Sequence, residues 1–481
     1  MRKTIKIYLS CIIAAASSVS CNFLDVDQVG KSDIPTYFSE ASALQPALNG
    51  TYSLLYEIYD KFLLIYPEVT GDLMSLSAGN PSWETIYNFS STYMEETTAV
   101  GYIWKYSYNI IQNVNHIIYY APGLKDGRND AMIDNIIAQA YFIRALTHFN
   151  LCQVYAQTYT FTPDASHPGV PVLTKIPKVT EKLKRATVKE VYDQVISDAE
   201  KAMSTFSPSY PFNEYLASPA SCKALLARVF LYMGDYARAA SYSGELIKDF
   251  PLASRENYRN MYVNVGTRGV EAILRLGGYA QVRALQTFYD YKEPSATPSA
   301  KLKSLFNDEK DVRLTLFSHR AYDPDTKKMR DYENVCMKFY CTDSTVNVVD
   351  KHYDPFVFRV SEMYLIKAEA YCRMDKADSA SLLIKSLEAR ALGIDREDVS
   401  LDFSDAAGLD RIIMEERMKE LCLEGHRLFD IARRKETLER DKETTATLRT
   451  LKFPDYRFVL FIPYLEMESN KEIEQNPSEN S

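Results

Sequence analysis

The chain has 481 residues, 64 acidic and 56 basic side chains and a formal net charge of −8, long enough for one large domain or two to three ordinary ones. That acidity argues against nucleic acid as a partner, because nucleic acid demands a basic face. Glycine supplies only 17 residues, which disfavours a Gly-rich phosphate-binding fold, while tyrosine supplies 35, enough to pack helices and still place rings at a ligand-facing surface.

The N-terminus has the layout of a bacterial secretory signal. Arg2, Lys3 and Lys6 precede an apolar run at 7–16, and Ser17-Ser18-Val19-Ser20 leads to Cys21. The run is about ten residues, short of the roughly 20 that a membrane-spanning helix needs. A cysteine placed directly after small residues resembles a lipobox, where the thiol is acylated and becomes the first residue of the mature protein. Val19 and Ser20 fit that box, while Ser18 stands where Leu is usual. The reading is therefore a lipoprotein signal peptide at 1–20, a lipid anchor on Cys21 and a mature domain over 21–481. Simple cleavage near Ser20, leaving Cys21 a free thiol, is the alternative. Removing the leader takes away three cations and no acid, moving the net charge from −8 to −11. Six later cysteines are sparse and unpatterned, unlike a disulfide scaffold. Cys336 and Cys341 could pair across a turn, and the others read as reduced, buried thiols.

After an extended start to about Ser39, helices are predicted at 41–66, 95–120, 131–157, 188–203, 219–233, 236–249, 355–373, 379–391 and 409–434. Thr187-Val188-Lys189-Glu190 is a capping box, and Ser218-Pro219 sets an N-cap before a proline at the first helical position. Residues 225–251 place Ala227, Phe230, Gly234, Tyr236, Ala239 and Pro251 at the spacings of a tetratricopeptide repeat, in which small residues let two helices cross closely. Residues 358–387 repeat the scheme more weakly, with Ala368, Tyr371 and Ala380 in corresponding places and Asp375 where the first copy has Gly234. Two copies predict an all-α, right-handed helical solenoid, whose faces are buried only by stacked neighbours. The scaffold occupies about 41–250 and 355–434.

Between the repeats, 255–354 has short strand-like runs, such as 271–276, and little periodicity; 67–96 is also irregular. Loops this long in a compact domain are functional or disordered, and these are too aromatic for disorder. They read as an ordered, loop-built ligand face. Its candidate residues are Trp83 beside Asn80 in a polar loop, then Tyr87, Tyr279, Tyr289 and Tyr291, with Arg283 as a donor to hydroxyl or carboxylate groups. Trp104, inside a predicted helix, reads as core.

Several segments, in order, resemble the SusD/RagB family. Cys21-Asn22-Phe23-Leu24-Asp25 is similar to the mature start of its lipoproteins. The helix at 138–157, Gly169-Val170-Pro171-Val172, the capping box, the helix at 359–370, the motif at 416–433, Ile462-Pro463 and Gln475-Asn476-Pro477 then follow in register. The resemblance implies four tetratricopeptide-like helix pairs with loop-rich insertions. It implies a cell-surface lipoprotein of Bacteroidota on the outer membrane, docked over a SusC-like TonB-dependent transporter. Such a protein captures oligosaccharides or, in some members, peptides, and performs no chemistry itself.

Enzyme signatures are weak by comparison. Glu416, Glu420, Glu424, His426 and Asp430 could suggest paired glycosidase carboxylates. Yet Arg417–Glu420, Glu424–Arg427, Arg427–Asp430 and Asp430–Arg433 are opposite charges three apart, which reads as an ion-pair ladder on one helix. The six histidines form no spaced ligand pair, and Cys336, Cys341 and His352 are too loosely spaced for a zinc site. No catalytic, metal or cofactor residue is assigned. Three readings stand: a glycan-binding lipoprotein, a peptide binder of the same kind, and a tetratricopeptide-type protein scaffold, with the long aromatic loops favouring the first two.

Overall fold

Local start signals open helices where the sequence placed them. The computed structural model describes residues 33–92, 99–178, 181–267, 269–278, 283–347 and 351–478. The leader, Cys21 and Tyr279 therefore lie outside the described residues. Thr187 caps Val188–Thr205 reciprocally: the Glu190 amide donates to Thr187 Oγ1 at 3.2 Å, and the Thr187 amide donates to Glu190 Oε2 at 2.8 Å. Ser218 caps Pro219–Met233, with Pro219 in the first turn.

Eight helices then pack each against the next in the chain: Leu44–Ile58, Ala99–Tyr120, Asp130–Tyr155, Val188–Thr205, Pro219–Met233, Tyr236–Asp249, Val360–Arg373 and Ala377–Leu392. Taken two at a time they are four helix pairs, the all-α scaffold expected. Ala406–Leu421 packs on the last pair. The middle of the row is the most apolar: Asp130–Tyr155 buries residues on every side, including Phe142, Leu146, Phe149 and Tyr155.

The small residues of the first repeat divide their work in a way the spacing did not reveal. Ala239 is fully buried. A Cβ added at Gly244 would come within 2.8 Å of Lys367 Nζ on the next repeat. A Cβ added at Gly234, by contrast, would meet no atom within 4 Å; its φ of +78° ends the helix in the left-handed region. Asp375 takes the same role in the second repeat, at φ 57°.

Three boundaries differ from the prediction. The first long helix ends at Ile58 and runs into a π-helical turn, Tyr59–Leu63. The start of the predicted 355–373 helix is instead a strand, Phe356–Arg359, pairing antiparallel with Ala272–Arg275; both strands are buried along their length, which suits their aromatic and β-branched residues. The predicted 409–434 helix breaks at 422–426, where Leu423 (φ 68°) and Gly425 (φ 82°) turn the chain before Arg427–Arg433 resumes.

The long insertion carries strands, short helices and an apolar core of its own, built around Tyr258, Met261, Tyr262, Val312, Leu316 and Met337. The six cysteines after Cys21 are unpaired, Cys336 and Cys341 among them. No helix among the described residues is long and apolar enough to cross a membrane.

Candidate ligand-binding face

The two irregular stretches, far apart in sequence, meet. Met74–Leu76 pairs antiparallel with Ala296–Pro298, and Ser77 extends the seam by donating its amide to Ser295 O at 2.8 Å and its hydroxyl to Pro294 O at 2.6 Å. The insertion is also clasped from below. Asp60, fully buried in the π-helical turn, accepts the amides of Ala284 (3.0 Å) and Leu285 (3.2 Å) at the start of Ala284–Phe288, and the Tyr353 hydroxyl. Burial pushes the Asp60 carboxyl upward, against these hydrogen bonds.

The predicted site residues divide between core and rim. Trp83 was expected in an open polar loop, but it lies in a seven-residue helix, Pro81–Tyr87, with only 8% exposure and its ring edge-on to Phe288 at 6.0 Å. Tyr87 lies under the Arg440 guanidinium at 4.3 Å. Tyr289 is fully buried and stacks on Phe339 at 5.6 Å. Tyr291 is half-buried among His319, Tyr332 and Tyr340. Asn80 and Arg283 remain at the rim, both half-exposed. Arg283 opens a shallow cleft of about 490 Å³ with Gln286, Thr287, Asp290, Lys292 and Glu293. Its Nε is shut off from solvent and has no hydrogen-bond partner among the described residues.

A second cleft, of about 990 Å³, lies beyond the C-terminal end of Pro81–Tyr87, between residues 88–92, 447–450 and 456–461. No sequence signal pointed to it, because its walls are short Ser/Thr-rich loops without periodicity. Arg440 braces two of its lining residues, Phe89 through its ring and Leu448 through its carbonyl. Buried between the rings of Tyr87 and Phe89, it donates to the carbonyls of Gly71 (2.9 Å) and Tyr87 (2.6 Å), and to three others.

The charged motif at 416–433 forms a buried network rather than a ladder. Of the four expected pairs only Asp430–Arg433 forms, at 2.8 Å. Glu424 falls in the turn at 422–426, and Arg417, Glu420 and Arg427, though on unbroken helices, take partners elsewhere. Glu420 binds Arg359 and Arg390, each at 2.7 Å; Glu424 binds Arg359 (2.8 Å) and Lys338 (2.5 Å); Glu416 binds Arg313 (2.5 Å). Glu271 holds the same Arg359 and Arg390, Asp72 holds Arg427, and Asp430 holds Arg417. Burial works to raise the Glu420 carboxyl, but Arg390, Arg359 and Arg313 outweigh it and hold the group well below the usual carboxylate range. Asp430 is held at about 2 by Arg417 and Arg433 against the same burial. The Glu68 carboxylate accepts the amides of Leu423, Gly425 and His426 at 2.9–3.0 Å, satisfying the turn. Ionised and sealed from solvent, the carboxylates that resembled a glycosidase pair are fasteners between the insertion and the scaffold.

Two family models match the sequence. One, described as starch-binding associating with outer membrane, matches residues 22–231, and the other, described as SusD family, matches residues 282–478. SusD-like protein P2 of Formosa agariphila is 26% identical over 479 residues, which cover 89% of this chain and 91% of that protein. Among solved structures, a SusD superfamily protein from Bacteroides thetaiotaomicron has a TM-score of 0.78 at 23% identity, covering 91% of this chain and 100% of that one. A SusD-like carbohydrate binding protein from Bacteroides vulgatus has a TM-score of 0.72 at 21% identity, covering 90% and 97%.

Proposed function

The chain belongs to the SusD/RagB family, and from that premise we propose that it binds oligosaccharide at the cell surface and delivers it to a SusC-like TonB-dependent transporter. Proteins of this family associate with the outer membrane. In this reading Cys21 is acylated, 1–20 is the leader and 21–481 forms one SusD-like domain facing the exterior. The protein supplies binding and hand-over, and no bond is made or broken on it.

The observation that carries the ligand reading is the Arg283 cleft, lined by residues 283–293 of the insertion next to its seam with the first loop stretch. Sugar hydroxyls need donors and acceptors in a fixed array. Gln286 and Thr287 provide them on a short helix that Asp60 anchors, with Arg283 and Asp290 flanking it. The half-exposed Arg283 guanidinium can donate to a ligand acceptor from the cleft edge. Asn80 is a further rim donor, and the outlying Tyr279 borders this segment in sequence. Trp83, Tyr87 and Tyr289 support the site from within, and Tyr291 packs beside it.

Calorimetry with neutral oligosaccharides and with peptides tests this. Arg283→Ala should weaken oligosaccharide binding about tenfold without moving the melting temperature. Trp83→Ala should cost about 3–5 kcal/mol of stability, as expected for a large ring removed from a core. Peptide binding with no oligosaccharide binding would overturn the glycan reading.

A further inference from the structure

The cleft of about 990 Å³ beyond Pro81–Tyr87 is about twice the size of the one at Arg283, and neutral-sugar binding at Arg283 makes no use of it. We propose that it is a second saccharide site, one that takes an oligosaccharide bearing carboxylate groups. The proposal rests on the glycan reading of the protein but not on the Arg283 site.

Its size is at the upper end of the roughly 300–1,000 Å³ of small-ligand sites. Its lining suits a sugar: the half-buried rings of Tyr456 and Phe461 offer faces for C–H stacking, and hydroxyls such as those of Ser90 and Thr447 offer hydrogen bonds. Its charge is the discriminating feature. The charged side chains among its described lining residues are two arginines. Arg457 is held by Asp455 at 2.8 Å. Arg449 is exposed and carries no such pair among the described residues. An exposed guanidinium in a ring-bearing cleft fits a sugar carboxylate, which it can bind through two parallel hydrogen bonds.

The wall is also held ready. The chain leaves Pro81–Tyr87 through a left-handed cap in which the Phe89 amide donates to Ile86 O (3.1 Å) and the Ser90 amide to Thr85 O (2.8 Å). Glycine usually occupies that position, because a side chain there is strained. Here Phe89 takes it, at φ 53°, and its ring is turned onto Arg440 at 5.2 Å. Strain of this kind persists where the surroundings enforce it, and it gathers at ligand clamps.

The test is calorimetry on the full chain in detergent, with a linear uronic-acid tetrasaccharide and its uncharged methyl ester as probes. The charged sugar should bind at least about tenfold more tightly than the ester, and added salt should erode the difference. Arg449→Ala should abolish that preference, Phe461→Ala should weaken both probes, and Arg320→Ala, which removes an exposed arginine outside both clefts, should leave this binding unchanged. Equal binding of acid and ester, or charged-sugar binding indifferent to Arg449→Ala, overturns the proposal. So does an acidic peptide that binds in an Arg449-dependent way where the uronate does not. Neutral oligosaccharide binding that depends on Arg283, with no Arg449-dependent uronate binding, overturns this second site and leaves the proposed function intact. Failure of every sugar overturns both.

Discussion

Replacing Glu420 by Gln removes one charge and almost no volume, so it isolates what the buried network contributes. Glu420 is fully buried and accepts from Arg359 and Arg390 at 2.7 Å and from Arg313 at 3.4 Å. In the variant an amide donor group faces three guanidiniums that also only donate. Breaking a buried pair by removing one partner costs about 3–5 kcal/mol. Glu271 still holds Arg359 and Arg390, and Glu416 and Asp311 still hold Arg313, so the low end, about 3 kcal/mol, is expected. The assay is urea unfolding at pH 7, read as a shift of midpoint at constant slope. Asp331→Asn is the control: its pair with Arg320 is at 3.7 Å with both side chains about two-thirds exposed, and such pairs are worth about 0–1 kcal/mol. A Glu420→Gln loss no larger than the control's would refute the fastening role, and a specific loss of sugar affinity in folded protein would point to a ligand role instead.

Ala239→Leu should overpack the first repeat and cost about 1–3 kcal/mol, so an unchanged melting temperature would reject the close crossing there. Cys21→Ala should release the protein from the membrane fraction of cells, and full retention would sink the anchor. Stability should also fall as pH drops below about 6.5: burial, with Arg144 alongside, depresses His148 to about 3, and burial with nearby Arg228 and Arg417 depresses His426. These imidazoles stay neutral when folded while the unfolded chain takes up protons, so their contribution is complete above the unfolded pKa and is lost on acidification. Asp60, Glu68 and Asp198, whose carboxyls burial pushes up, act in the opposite sense at lower pH. Melting temperatures at pH 7.5, 6.5 and 5.5 check the balance; a flat profile, also unchanged by His148→Gln, would count against it.

What the sequence revealed was local. Thr187 and Glu190 are three apart, and their cap needs nothing else; Gly234 and Asp375 mark turns whose backbone each residue can adopt by itself. Trp83 misled because a seven-residue helix is too short to display a period, although Asn80-Pro81 was a start signal of the same kind as Ser218-Pro219. The charged motif misled for a different reason. Spacing of three residues permits a pair without making it: Glu424 falls in the turn made by Leu423 and Gly425, while Arg417, Glu420 and Arg427 stay on helices and pair elsewhere. The true partners, Glu420 with Arg359 and Arg427 with Asp72, lie 61 and 355 residues apart, so only the fold brings them together. The cleft beside Phe89 could not be read at all, since its walls carry no periodic signal.

The destination of the aromatic residues changes what the loop face can be. An excess of tyrosine suggested stacking platforms, yet Tyr56, Tyr66, Tyr87, Tyr155, Tyr258, Tyr289 and Tyr353 are all among the most deeply buried side chains. Tyr258 sits in the small apolar cluster the insertion keeps to itself, while Tyr289 and Tyr353 pack the insertion into the main core beside Tyr56, Tyr66, Tyr87 and Tyr155. Its position relative to the scaffold is set by that packing and by charges, with Glu271, Arg313 and Lys338 from the insertion engaging Arg359, Glu416, Glu424 and Arg390. Such contacts are directional, so they fix orientation where apolar packing alone would tolerate sliding. With orientation fixed from inside, the rim is free to be polar. In the proposed reading, Arg283, Asn80 and Arg449 would each set the ligand without being part of the buried network that holds the fold together.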